Sequence, residues 1–306
     1  MASQGNENPP PSGGGVVNSP PIQWYPGHIA KAEKQLQDQL KQVDVVLEVR
    51  DARIPLATHH PAVPRWIGEK ERVLVLNRVD AIPPELQAAW TNWFKAQGDR
   101  PYFTNAKQGK GVGQVAQAAR QAGEQMNQRR RDRGMRPRAV RAVVVGFPNV
   151  GKSALINRLL KRRVVESARR PGVTRQLRWV RISDELELLD APGVLPSQLT
   201  NQEAALKLAI CDDIGEAAYD NQRVAAAFVE LLKSLLAAVP DLMPNHPLQS
   251  RYDLSPDALT GESYLFELAQ RNYQGDVERT ARQILTDFRK GLLGSVPLEL
   301  PPGFPL

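Results

Sequence analysis

The segment GFPNVGKS, residues 146–153, constrains the possible folds of this chain more than any other feature of its sequence. It matches the pattern GxxxxGK[ST] in full, and it lies between a β-rich run at residues 142–145 and a helix predicted to begin near Lys152. Glycines let the backbone N–H groups of such a loop turn toward phosphates, and the lysine and the helix N-terminus add positive charge. The motif therefore predicts an α/β fold in which a strand delivers a phosphate-binding loop.

Hydrophobic runs elsewhere predict a mostly parallel sheet flanked by helices. The apolar residues of 84–97 recur at helical spacing between two strand-like runs, as in a sheet with alternating strands and helices. Further strands are predicted at residues 43–49, 73–76, 101–104, 177–182 and 186–189. Ligands of such sheets collect at the carboxyl ends of the strands, so the residues that follow them are expected to share one crevice. These residues are Asp51, Asn77, Thr104, Gly146 and Asp190.

Two tetrapeptides downstream of the loop predict a magnesium site. DAPG begins at Asp190, whose carboxylate can hold Mg²⁺ through water, and ends at Gly193, whose N–H can meet the terminal phosphate. PGVT ends at Thr174, whose hydroxyl can complete the magnesium shell together with Ser153.

Together, GFPNVGKS, PGVT and DAPG resemble the phosphate, switch and magnesium motifs of the translation-factor-related GTPases. The NKxD motif of that group is found upstream here, as NRVD at residues 77–80, and TNAK follows at residues 104–107. This order resembles the circularly permuted GTPases and implies GTP and GDP as ligands. The nucleotide contacts that it implies are Asn77, Arg78, Val79, Asp80, Thr104, Asn105, Ala106, Asn149, Val150, Gly151, Lys152, Ser153, Ala154 and Gly193.

Asp80 is the residue expected to select guanine. Its carboxylate can accept hydrogen bonds from the N1–H and N2–H₂ groups of guanine, and adenine would leave that charge unpaired. Arg78 departs from the lysine of the motif; its aliphatic stem can cover the base, but its planar head does not replace an ammonium group.

The segment QWYPGHIAKA, residues 23–32, closely resembles the WFPGHMAKA opening of the ribosome biogenesis GTPase A family, the YlqF type. The resemblance extends over about residues 22–300 and includes DDIGEAAYD at residues 212–220. It implies a factor that binds rRNA and ribosomal proteins of the large-subunit precursor late in assembly and leaves on GTP hydrolysis.

The catalytic residues are less directly indicated. Val194 stands where Ras-type GTPases have the glutamine that orients water, and the family resemblance points to His28 for that role, beside Lys152 and Gly193. Asn149 matches the asparagine that potassium-activated GTPases use to bind K⁺, so potassium stimulation is expected. Two alternatives stay open, an RNA-binding nucleotide switch without useful hydrolysis and a permuted GTPase of the small subunit.

Charge divides the chain at about residue 200. Residues 1–200 contain 31 Lys and Arg against 18 Asp and Glu, whereas residues 201–306 contain 9 against 15. Seven arginines lie between residues 129 and 141, beside the phosphate loop. This asymmetry indicates that the N-terminal two thirds meets a polyanion such as RNA.

Composition also suggests three regions. Residues 1–21 are predicted to be a disordered leader, residues 22–200 a circularly permuted GTPase domain, and residues 201–306 a small all-α domain with a proline-rich tail. The leader lacks the features of a signal or transit peptide, the chain has one cysteine, and no run of about 18 apolar residues occurs. We therefore expect a cytoplasmic protein without a membrane partner. A monomer is our expectation for its oligomeric state, which these features do not determine.

Overall fold

A six-stranded sheet forms the centre of the molecule. The computed structural model describes Ile22 and residues 29–160, 178–190, 201–243 and 245–304. The strands are β1 (Val45–Asp51), β2 (Glu71–Asn77), β3 (Pro101–Thr104), β4 (Val140–Val145), β5 (Arg178–Ser183) and β6 (Leu186–Asp190). Their order across the sheet is β3-β2-β1-β4-β6-β5, and all neighbours are parallel except β5 and β6.

The strand order reverses between β1 and β4. The chain starts in the middle of the sheet at β1, builds outward through β2 to β3, and then returns to place β4 on the other side of β1. Such a reversal opens a crevice at the carboxyl ends of the strands. Residues of β1 are buried throughout, and β4 has one exposed residue, because helices cover both faces of the sheet.

Helices cover both faces of the sheet. In the described residues they are α1 (Ile29–Leu40), α2 (Val63–Ile67), α3 (Pro84–Ala96), α4 (Val112–Asp132), α5 (Lys152–Leu159), α6 (Gln202–Ile210), α7 (Asn221–Ala238), α8 (Pro247–Tyr252), α9 (Gly261–Asn272) and α10 (Val277–Lys290). Apolar residues of α4 and α5 pack on one face of the sheet, and those of α1, α2 and α3 pack on the other. No described helix has both the length and the apolar character needed to cross a membrane.

The C-terminal helices begin at capping side chains that the sequence supplies. Asp220, Thr260 and Asp276 each accept a hydrogen bond from the backbone N–H three residues later, at 2.8, 3.1 and 2.9 Å. These bonds satisfy donors that the first turn of a helix leaves without a partner. At the other end of α10, Gly291 adopts the left-handed conformation (φ 76°) that ends a helix.

One hydrophobic cluster joins the sheet to the C-terminal helices. Leu47 and Val144 of the sheet belong to the same continuous set of buried residues as Leu208, Phe228 and Leu285. The C-terminal region therefore shares a continuous core with the sheet, and its direct hydrogen bonds reach the loops at the carboxyl ends of the strands.

Candidate nucleotide-binding site

The phosphate loop connects β4 to α5 and is held in a narrow space. Gly146 has φ 151°, and a Cβ atom added there would lie 2.2 Å from the carbonyl oxygen of Val49 in β1. Gly151 has φ 105°, and its Cβ would lie 2.1 Å from the side-chain nitrogen of Asn77. Both positions need glycine because the backbone conformation and the close neighbours exclude a side chain.

Lys152 begins α5 and folds back over this loop. The side chain is buried, and its Nζ donates to the carbonyl oxygens of Gly146 at 3.1 Å and Phe147 at 2.6 Å. No side chain caps the start of α5, so its first N–H groups point into the loop. A lysine, two glycines and an uncapped helix N-terminus form a cradle that fits the phosphates of a nucleotide.

Asn77 ties the phosphate loop to the two loops predicted to contact the base. Its Nδ2 donates to the carbonyl oxygen of Val150 at 2.8 Å. Its Oδ1 accepts from the Thr104 hydroxyl at 3.1 Å and from the Ala106 backbone N–H at 3.0 Å. Asn77 is buried, so these bonds form away from water and fix the three loops relative to one another.

Asp80 and Arg78 extend from the end of β2 in different directions. Arg78 adopts a left-handed backbone conformation (φ 67°), and its Nη2 donates to the carbonyl oxygen of Asn149 at 2.7 Å. The short 3-10 turn Val79–Ala81 follows, with Val79 buried and Asp80 exposed. The Asp80 carboxylate makes no hydrogen bond or ion pair with another described residue. It is accessible to a ligand, while Arg78 spans the space between this turn and the phosphate loop.

The loop after β3 is closed by its own backbone. Asn105 is buried, donates its N–H to the Lys110 carbonyl oxygen at 3.0 Å and accepts the Gly109 N–H at 2.7 Å. The Asn105 side chain accepts the Gln108 N–H at 3.0 Å. These bonds hold Ala106, whose N–H meets Asn77, beside the phosphate loop.

A buried group of charges lies behind these loops, which the sequence did not predict. Asp51 is fully buried and accepts two bonds from the Arg53 guanidinium, at 3.0 and 2.7 Å, and Arg78 Nε lies 3.4 Å from it. Burial acts to raise the pKa of Asp51, but the charges of Arg53 and Arg78 hold it below its ordinary value.

The connection between α6 and α7 reaches the same place. The carbonyl oxygen of Asp212 accepts a hydrogen bond from Asn149 Nδ2 at 2.6 Å, so the C-terminal region contacts the phosphate loop directly. Asp213 is fully buried, and neither carboxylate oxygen has a hydrogen-bond partner among the described residues. Burial, with a contribution from Asp51, raises the pKa of Asp213 well above its ordinary value.

The segment after α10 also contacts the loops that follow β1 and β2, the second of which is predicted to bind the base. Ser295 Oγ donates to the carbonyl oxygen of Asp80 at 3.2 Å. The N–H groups of Leu298 and Glu299 donate to the carbonyl oxygen of Arg53, at 3.0 and 3.1 Å. The C-terminal region is thus bonded to the loops after β1 and β2 as well as to the phosphate loop.

The structure brings together most of the residues that the sequence singled out. Asp51, Asn77, Thr104 and Asp190 end their strands at the same edge of the sheet, and the phosphate loop leaves β4 there. Ser153 and Ala154 lie in the first turn of α5, and the Ser153 hydroxyl makes no hydrogen bond to another described residue. His28, Thr174 and Gly193 lie outside the described residues.

Comparison with known proteins agrees with this geometry. A family model described as "50S ribosome-binding GTPase" matches residues 141–243. The matched range begins in β4 and contains the phosphate loop, whereas NRVD at residues 77–80 lies upstream of it.

Relatives match over nearly the whole chain. Ribosome biogenesis GTPase A of Bacillus cereus is 36% identical over 292 residues, which cover 92% of this chain and 95% of the relative. Mitochondrial ribosome-associated GTPase 1 of Mus musculus is 31% identical, with 90% and 89% covered. The crystal structure of GNP-bound YlqF from T. maritima superposes with a TM-score of 0.60 over 90% of this chain and 100% of that one, and its 24% identity makes it evidence for the fold.

Proposed function

The chain belongs to the ribosome biogenesis GTPase A family, and from this premise we propose that it hydrolyses GTP on the large-subunit precursor, binding in the GTP state and leaving after hydrolysis. The nucleotide part of the proposal depends mainly on Asn77, which joins the phosphate loop to the two loops predicted to contact the base. The ribosomal part is supported by family membership and by the excess of Lys and Arg in residues 1–200.

Guanine and phosphate recognition follow from residues on separate loops. Asp80 presents an exposed carboxylate that can accept the N1–H and N2–H₂ groups of guanine. Lys152 exchanges its two carbonyl partners in the loop for phosphate oxygens, which are stronger acceptors because they are charged. The N–H groups at the start of α5 bind the same phosphates.

A magnesium site is proposed at this edge of the sheet, where the Ser153 hydroxyl makes no hydrogen bond to another described residue. The Ser153 hydroxyl and a carboxylate from Asp190 would hold the ion, and Thr174 stays a predicted third ligand. When bound, Mg²⁺ neutralises charge that develops on the phosphates.

Potassium would be bound by Asn149. Its side-chain nitrogen already donates to Asp212, which leaves the side-chain oxygen as the atom that can face a cation. Because Arg78 also holds the carbonyl oxygen of Asn149, this residue is fixed from two sides.

Water for hydrolysis needs a residue to orient it, and Val194 cannot do so because its side chain has no polar atom. We assign this role to His28, whose imidazole can accept a proton near neutral pH.

The protein is proposed to act as a monomer.

GTP turnover with and without purified large and small subunits tests the proposal, together with co-sedimentation in the presence of GDP or a non-hydrolysable GTP analogue. We expect stimulation by the large subunit, analogue-dependent binding, and faster turnover in K⁺ than in Na⁺ at equal ionic strength. His28→Ala should keep subunit binding and lose the stimulation. Binding without turnover would favour the RNA-binding switch, and stimulation by the small subunit alone would contradict the large-subunit assignment.

A further inference from the structure

A cavity of about 610 Å³ opens along the free edge of β3, between α3 and α4. The polar residues that line it are mostly amides and hydroxyls, and none of the described lining residues is a carboxylate. They are Gln87, Thr91, Tyr102, Gln114, Gln117 and Gln121, with Arg100 and Lys110.

The two cations lie just before and just after β3, and neither is neutralised. Arg100 and Lys110 are exposed and form no ion pair within the described residues. The Arg100 guanidinium lies over the ring of Tyr102, 5.3 Å from its centre. The edge of β3 therefore combines two free positive charges with a partly exposed aromatic ring.

The amides continue along α4 as one stripe. Gln114, Gln117, Gln121, Gln125 and Gln128 are exposed and follow each other at intervals of three and four residues, which places them on one helix face. Over its 21 residues α4 is about 30 Å long, and arginines are concentrated at its C-terminal end.

Part of the arginine-rich end has no carboxylate partner among the described residues, although Arg138 pairs with Asp44 and Arg141 with Glu187. Arg129, Arg133 and Arg136 are exposed and form no ion pair with a described residue, whereas Arg131 pairs with Glu124. A positively charged region thus lies at each end of the glutamine stripe.

We propose that the groove beside β3 and the glutamine face of α4 bind a single-stranded segment of RNA, an inference that rests on the ribosomal function proposed above. Glutamine amides can donate to and accept from base edges, and they do not repel phosphates. Arg100, Lys110 and the arginines at the C-terminal end of α4 contact phosphates. When the Arg100 guanidinium turns to a phosphate, it leaves the Tyr102 ring that it covers, and a base can stack there. An extended peptide could pair with the edge of β3, but no described residue of the cavity lining is a carboxylate, and both ends of the stripe are positive, which favours a polyanion. The carboxylates of α4 lie near its C-terminal end, where Glu124 pairs with Arg131 and Asp132 accepts the amide of Gln128.

Fluorescence anisotropy with a labelled ten-nucleotide oligouridylate, titrated at several salt concentrations, tests the groove. Arg100→Ala/Lys110→Ala should weaken binding roughly tenfold. It should also reduce the slope of the logarithm of the binding constant against the logarithm of the salt concentration by about 1.4, because each lost phosphate contact in a single strand contributes about 0.7. Gln117→Ala/Gln121→Ala should weaken binding several-fold with the slope unchanged. The matched control is Arg65→Ala/Lys70→Ala, which removes two charges near α2 on the opposite face and should change the affinity less than twofold.

Thermal unfolding and GDP binding of each variant are measured first, so that a folding defect is recognised. Equal loss in the groove and control variants would overturn the proposal, since only net charge would then matter. Oligonucleotide binding that is unchanged in the groove variants, with weaker binding to large subunits, would place a ribosomal protein in the groove and also overturn it.

The same variants separate this inference from the proposed function. If the wild-type chain co-sediments with large subunits in the GTP-analogue state while the groove variants behave as the control does, the groove inference fails alone. If the wild-type chain does not bind large subunits, the proposed function fails.

Discussion

Asp80 offers the most direct test of base recognition at the scale of a single residue. The variant Asp80→Asn replaces one acceptor by an amide N–H donor, which suits xanthine because its C2 carbonyl replaces the guanine amine. We expect GTP affinity to fall about a hundredfold or more and xanthosine triphosphate to bind better than GTP. Competition against a fluorescent nucleotide measures both, and ATP should stay a poor ligand throughout. Unchanged GTP affinity would mean that Asp80 does not read the base.

Asp213 gives a prediction about pH. A carboxylate in the unfolded chain titrates near a pKa of about 4. Burial raises the pKa of Asp213 in the folded chain, so the folded state binds the proton more tightly. The resulting stabilisation is complete below about pH 4 and is lost as the pH rises through the folded pKa. Asparagine has no carboxyl group to ionise, so Asp213→Asn does not lose this stabilisation as the pH rises. Its melting temperature relative to the wild type should therefore increase between pH 4 and pH 8.

The control for that prediction is Asp241→Asn, because Asp241 is exposed and forms no bond with a described residue. Its melting temperature relative to wild type should not change with pH. If the melting temperature of Asp213→Asn instead falls relative to that of the wild type as the pH rises, Asp213 is ionised and stabilised by Arg53 and Arg78.

At the scale of elements, local patterns were sufficient for the strands and the phosphate loop. The predicted strand at residues 101–104 is β3, and those at residues 73–76 and 186–189 lie within β2 and β6. Hydrophobic runs and glycine motifs are local, so the sequence carries them directly. The burial of Asp51 was not predictable in this way, because it depends on Arg78 and on residues 211–213, which are distant in the chain.

The phosphate loop itself should not tolerate a side chain at Gly151. Alanine there would bring its Cβ to 2.1 Å from Asn77 Nδ2 and would hold φ near 105°, so Asn77 would have to release the loop. We expect Gly151→Ala to lower GTP affinity about tenfold to a hundredfold. Titration with a fluorescent GTP analogue measures the loss.

Gly113→Ala is the matched control for this loop. Gly113 lies in the first turn of α4, has no neighbour within 4 Å of an added Cβ, and does not have a positive φ. Alanine should therefore leave GTP affinity unchanged and raise the unfolding free energy by at most about 1 kcal/mol. If both variants bind GTP normally, the close approach of Asn77 and Gly151 does not control the site.

At the scale of the whole molecule, the sequence predicted a helical C-terminal region but not how it meets the nucleotide loops. Its net acidic character gave no reason to place it against the site. The structure connects it through Asp212, Ser295 and Leu298, and through a hydrophobic cluster shared with the sheet. Such contacts join residues far apart in sequence, and no local pattern encodes them. Whether residues 22–200 and 201–306 fold as separate domains stays a prediction.

Glu299 tests how far the tail stabilises the fold independently of nucleotide binding. Its buried carboxylate accepts the N–H groups of Leu56 and Ala57, at 2.7 and 3.1 Å, in the loop that follows β1. Glu299→Ala leaves both donors without their partner, so the free energy of unfolding should fall by about 1–3 kcal/mol. GTP affinity should change less than about twofold, since Asn77 and Arg78 hold the nucleotide loops without this contact. Denaturant unfolding and nucleotide titration measure the two quantities, with the exposed Glu69→Ala as control. Equal losses of unfolding free energy in both variants would show that the contacts of Glu299 do not stabilise the fold. A large loss of GTP affinity in Glu299→Ala would show that the tail belongs to the nucleotide site.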